Sequence, residues 1–148
     1  MGNRQEGLRV VFLDIDGVLN DHSRVIESYC GIQPELVRRL NRITDATEAV
    51  LVISSAWRYM IYGHAMSLLG FQYMLMTHGV KANIVGITAR DEEVHEREEQ
   101  IADYITKNKI TKYVVLDNLP LQIPNLVKTD GNVGLTDEHV QKAIEILT

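Results

Sequence analysis

The chain has 148 residues, 45% of them apolar and 24% charged, with a formal net charge of −5. That is the size and composition of one soluble globular domain, and it excludes wholesale disorder, a collagen-like repeat and a membrane span. The acidic balance also argues against holding duplex nucleic acid by charge alone, although a phosphorylated end held locally stays open.

The N-terminus, MGNRQEG, is polar and lacks an apolar signal core. Met1-Gly2 suits myristoylation poorly, because Glu6 stands where Ser or Thr is wanted. The expected location is the cytoplasm, with no membrane partner. Cys30 is the only cysteine, so neither an intrachain disulfide framework nor a thiolate zinc site is expected.

Residues 8–14, LRVVFLD, form an apolar, β-branched run ending in an acid. Such a run suits a strand buried on both faces. Pro34 opens a helix with Leu36, Val37, Leu40 and Ile43 along one stripe. Residues 49–55, AVLVISS, read as a second buried strand, and residues 57–69 as a helix stopped near Gly70. The FQYMLM stretch is compatible with a short strand, and HGVKANIVGITAR reads as loop. In DEEVHEREEQIADYI, Val94, Ile101, Ala102 and Ile105 define one helical face. YVVLD, residues 113–117, is a third buried strand, with a short fourth near residues 125–128. Thr136 caps a last amphipathic helix carrying Val140, Ala143, Ile144 and Leu147.

Strands alternating with helices predict an α/β fold, a doubly wound, mostly parallel sheet with helices on both faces. The whole chain, 1–148, reads as a single domain. In such sheets ligands bind outside the carboxyl ends of the strands. The polar residues there are Asp14 and Asp16, Ser54 and Ser55, and Asp117 and Asn118.

In Asp14-Ile15-Asp16-Gly17, an extended backbone through Ile15 puts both carboxylates on one side. Two close carboxylates need a cation or a proton between them, and hard oxygens favour magnesium. Gly17 permits a tight turn and a close approach of backbone to ligand. Asp117 supplies a further metal ligand, and Asn118 acts through its amide oxygen or a bound water. Ser54, Ser55 and neighbouring N–H groups suit a phosphate oxygen. Arg97, in a helix otherwise crowded with Glu, suits a transferring phosphoryl group, and Arg58 reaches for a substrate phosphate. For Trp57 two readings stand: a core residue, or a stacking face for substrate. The five histidines are scattered without zinc spacing.

The order VVFLDIDGVLN, VLVISSAWR, HEREEQI, YVVLDN resembles the four motifs of the haloacid dehalogenase (HAD) superfamily. SSAWR, the REEQI helix and the tail TDGNVGLTDEHVQKAIEIL resemble the small HAD-like domains found in RNA-repair proteins. The resemblance implies a HAD-like Rossmannoid with little or no cap and an Mg2+-dependent phosphomonoester hydrolase. Asp14 would be the nucleophile, forming an aspartyl-phosphate, and Asp16 the general acid and base. Ser54 and Arg97 would hold the phosphoryl group, and Asp14, Asp16 (through its carbonyl) and Asp117 the metal. Two departures stand out. Asn118 replaces the second acid of the fourth motif, with Asp130 as a compensating candidate. Arg97 competes with Arg90 and Lys81 for the third.

The expected substrate is a phosphate on a nucleotide, an oligonucleotide end or a phosphoprotein. Residues 73–90 are the segment available to fold over the mouth. The contrasting expectation is a catalytically decayed or receiver-like module that binds phosphate or a partner without turnover.

Overall fold

The computed structural model describes residues 5, 7–21 and 31–148. Cys30, His22, Glu6 and the Met1-Gly2 pair lie outside the described residues. Five parallel strands form one sheet: β1 (Arg9–Leu13), β2 (Val50–Ile53), β3 (Ile84–Ile87), β4 (Lys112–Asp117) and β5 (Leu126–Lys128). Their spatial order is β3-β2-β1-β4-β5. The helices are α1 (Pro34–Thr47), α2 (Tyr59–Tyr62), α3 (Leu68–Thr77), α4 (Arg97–Lys107) and α5 (Asp137–Leu147). This is the doubly wound α/β fold that the alternating pattern predicts.

Alternation along each strand sorts the core into two layers. Val11, Leu13, Leu51, Ile53, Val114 and Leu116 face one side and pack with residues of α1, α3 and α5. Val10, Phe12, Val52 and Val115 face the other and meet Ile101 and Tyr104 of α4. Phe12 holds Tyr104 and Tyr113 edge-on, with ring centroids 5.8 and 5.9 Å away. Both faces of the central strands are thus dry, which accounts for their unbroken apolar runs.

Three expectations about the middle of the chain are corrected. Residues 57–69 are not one helix: a 3-10 turn (Ala56–Arg58) leads into α2, and Gly63 ends it. FQYMLM lies inside α3, which Ser67 caps by accepting from the Gly70 N–H, so Gly70 begins a helix rather than ending one. The stretch read as loop contains β3, an edge strand paired only with β2. Consequently residues 73–90 are built into the body of the fold and form no lid.

The chain runs outward from β1 through β2 to β3, then returns to the other side of β1 for β4 and β5. Strand order therefore reverses between β1 and β4, the crevice where open α/β sheets bind their ligands.

Candidate active site

Register builds the site. Leu13 pairs with Ile53 on one side and Leu116 on the other, so the next residues, Ser54, Asp14 and Asp117, stand side by side at the sheet's carboxyl edge. Backbone bonds extend this row beyond the strands: Asp14 N–H to Leu116 O, Ser54 N–H to Leu13 O, Thr129 N–H to Asp117 O. Asp14 is 4% exposed and Asp117 fully buried.

Arg97 joins them from the first turn of α4. Its guanidinium lies 3.0 Å from Asp117 Oδ2 and 3.5 Å from Asp14 Oδ2. A helix N-terminus is the wrong end for a cation, and here the two carboxylates outweigh the dipole. Burial lowers the Arg97 pKa, but Asp117 and Asp14 more than reverse this and raise it. Neither competing cation enters the site. Arg90 pairs with Glu93, and Lys81 with Asp45.

One cation does not balance these acids. Burial, and then the Asp117 charge, push the Asp14 carboxyl up from 3.8 to about 7, while Arg97 and the Ile15 N–H pull the other way. The site is short of positive charge.

Asp16 is fixed from two directions. Its Oδ1 accepts from the Asn20 amide and its Oδ2 from the Trp57 indole N–H, both at 3.0 Å. The Asn118 amide completes the mouth, 3.0 Å from Asp14 Oδ2 and 3.3 Å from the Asp16 carbonyl oxygen. With its nitrogen turned toward them it donates to both. Asp14, Asp16, Ser55, Ala56, Arg97, Asn118 and Leu119 line an open depression of about 180 Å³.

Several expected positions differ. Arg58 does not reach toward substrate. It is 2% exposed, and its guanidinium donates to the Ser54, Ser55 and Ala89 carbonyls, to Gln100 Oε1 and to Asp91 Oδ1. All its donors are spent inside the protein, so it holds the Ser54-Ser55 backbone against α4. Gly17 offers substrate no free backbone group: its N–H donates to Asn20 Oδ1 and its carbonyl accepts from Thr129 Oγ1. With φ at +86°, and a Cβ there only 2.8 Å from Asn118 Cγ, it makes room for Asn118. Ser54 is fully buried and does not line the depression, and Ser55, at its wall, spends its Oγ as acceptor for the Trp57 backbone N–H. Asp130 caps its own turn by accepting from the Asn132 N–H.

Both oxygens of the buried Asp117 carboxylate are engaged within the protein. Arg97 takes one oxygen and the Leu119 N–H the other. Among the described residues no three His, Cys, Asp or Glu side chains gather as a ready-made metal-holding group; Asp14 and Asp117 meet on the Arg97 guanidinium, and the Asp16 carbonyl lies beside the Asn118 amide. The Asn118 amide bridges Asp14 Oδ2 and the Asp16 carbonyl through its nitrogen, so its Oδ1 faces them only after the amide rotates. Ser54 Oγ is, among the described residues, the one buried side-chain polar atom without a hydrogen-bond partner. An orphaned hydroxyl beside Asp14 at the sheet's carboxyl edge is the kind of group a bound ligand satisfies.

A family model described as the HAD domain in Swiss Army Knife RNA repair proteins matches residues 10–140. The chain belongs to this family. No curated protein and no solved structure matches it. The matched span covers β2 to β5, all of β1 but Arg9, and every site residue named above, and the family points to phosphatase-type chemistry for this HAD domain. No helix among the described residues is long and apolar enough to cross a membrane.

Trp57 and Asn20 are the site residues that the sequence signals least. The indole of Trp57 reaches across 41 positions, a contact that no local pattern encodes. Asn20 has a local trace, an amide four residues after Asp16 in a glycine turn.

Proposed function

We propose that this HAD domain hydrolyses phosphomonoesters with the help of a divalent cation, magnesium, through an aspartyl-phosphate on Asp14. The observation that carries this is the convergence of buried Asp14, Arg97 and the Asn118 amide at the switch point of the sheet. Asp14 attacks phosphorus while the bond to the leaving oxygen breaks, and Asp16 gives that oxygen its proton. Water then attacks the aspartyl-phosphate, Asp16 takes the water's proton, and inorganic phosphate leaves with Asp14 restored. Arg97, 3.5 Å from the nucleophile, offsets charge on the equatorial oxygens. In this reading the partnerless Ser54 Oγ and the Ser55-Ala56 backbone take a phosphoryl oxygen.

Magnesium would be held by Asp14 Oδ2, the Asp16 carbonyl and Asp117, joined by Asn118 Oδ1 once its amide rotates, and when bound it would supply the positive charge this acid-rich mouth lacks. Asn118 in place of an acid leaves that set one charge poorer than a two-acid motif, so weaker binding than such a motif gives is expected.

The depression has room for a phosphate group and little more, and it opens directly at the surface. That favours a phosphate carried on a larger body. The RNA-repair setting of the family favours an oligonucleotide end over a free nucleotide or a phosphoprotein.

The test is phosphate release with magnesium, wild type against Asp14→Asn. The substrates are an aryl phosphate, nucleotides, a phosphopeptide and oligonucleotides phosphorylated at either end. Release that disappears in Asp14→Asn, fastest from one oligonucleotide end, is expected. No release by folded wild-type protein from any substrate overturns the proposal in favour of a phosphate-binding module.

A further inference from the structure

We infer that Trp57 is a positioning residue that aims the Asp16 carboxyl into the mouth of the site. This rests on the proton-transfer role proposed above for Asp16. Trp57 is the only tryptophan of the chain. It is half-buried and packs against the core layer beneath α1 and α3. Burial alone does not explain its orientation, because a ring can bury its face with the N–H turned to water. Here the N–H ends on Asp16 Oδ2 at 3.0 Å.

The backbone under the ring is fixed as well. Ser55 Oγ accepts from the Trp57 N–H, and Arg58 ties the Ser54 and Ser55 carbonyls down from below. The other oxygen of Asp16 is held by Asn20, whose own Oδ1 accepts from Gly17. One donor thus comes from the turn that follows β1, and the other from the turn that follows β2. Asn20 alone leaves the carboxylate free to swing about its other oxygen. The indole removes that freedom, and a misplacement of about 1 Å at a reacting group costs on the order of a hundredfold in rate.

Trp57→Phe keeps an aromatic ring for the core and deletes only the N–H. The decisive comparison uses two substrates of different leaving-group basicity. A nitrophenolate departs with little help, whereas an alkyl or ribose oxygen needs its proton delivered. With an alkyl phosphate, kcat is expected to fall roughly tenfold to a hundredfold in Trp57→Phe, with KM within about twofold. With nitrophenyl phosphate the loss is expected to be several times smaller. Equal losses on both substrates, or no loss on either, overturn the inference.

A second readout does not depend on turnover. As the single tryptophan, Trp57 reports its own surroundings by fluorescence. Asp16→Ala is expected to change its emission, whereas Asp130→Asn, at an exposed turn, leaves it unchanged. Emission unmoved by Asp16→Ala overturns the contact. If the wild type hydrolyses nothing while the emission still responds to Asp16→Ala, the phosphatase reading fails and the clamp on Asp16 stands.

Discussion

Asp14 carries a cost that its chemistry explains. Its carboxyl is pushed up to about 7 by burial and by the neighbouring Asp117. The unfolded value is 3.8, so between those pH values the native state keeps a proton that the unfolded chain has released. The stability from this group is complete below pH 4 and is lost as pH rises through 7. In EDTA at pH 8, Asp14→Asn is therefore expected to melt several degrees above wild type, about 2–4 °C for each kcal/mol recovered. At pH 4 the two should coincide. A gap of the same size at both pH values, measured by calorimetry, contradicts the assignment. Magnesium should close the gap at pH 8 by raising the wild-type Tm. Asn118 gives a companion prediction. Asn118→Asp should tighten magnesium binding roughly tenfold or more, and Asn118→Ala should weaken it, both read by isothermal titration. Unchanged affinity in both variants removes Asn118 from the ligand set.

At the scale of elements, the site depends on the turn after β1 closing tightly against the turn after β4. Gly17 makes this possible, with φ at +86° and no Cβ to strike Asn118. Gly17→Ala must strain the backbone and displace Asn118, costing on the order of 1–3 kcal/mol in urea unfolding. Magnesium affinity should fall with it, because the amide moves. Thr129, just beyond β5, reinforces the same turn by donating to the Gly17 carbonyl at 2.7 Å. Arg97 shows the same dependence from the helix side. It reaches both acids only because α4 begins at residue 97 and lies on the Phe12 face of the sheet.

Across the whole molecule, Arg58 is the residue on which separate segments meet. Its donors join the Ser54-Ser55 turn, the Ala89 carbonyl after β3, and Gln100, one turn beyond Arg97 on α4. Gln100 passes the connection on to Asp91 and to the Val94 carbonyl. Arg58→Met should leave several buried acceptors without donors and cost about 3 kcal/mol or more. Arg58→Lys should recover little of this, since an ammonium cannot span the same fork of acceptors. A change below about 0.5 kcal/mol in chemical denaturation contradicts this account.

Elements whose patterning is strong and local are readable from the chain alone. β1, β2 and β4 are buried on both faces, so their runs are apolar without interruption, and each is followed by residues turned to the crevice. Pro34 and Thr136 mark where α1 and α5 begin, because helix starts are set by local backbone chemistry. Asp14, Asp16 and Arg97 were legible because acids and cations in such places need a reason to be there. The middle of the chain was not. α3 is apolar nearly all round, with Leu69, Tyr73 and Met76 exposed while Phe71 and Leu75 are buried, so no stripe marks it as a helix. β3 is a four-residue edge strand containing a glycine, and only its pairing with β2 makes it a strand. Only the tertiary structure showed that Arg58 is buried among carbonyls, since it reads as a cation near a helix start just as Arg97 does. It also decided that Asp117 turns to Arg97 while Asn118 turns to the mouth. Side-chain direction at a strand's end is set by what packs against it, and those partners come from residues 17, 97 and 129, distant in the chain and adjacent only once the sheet has formed.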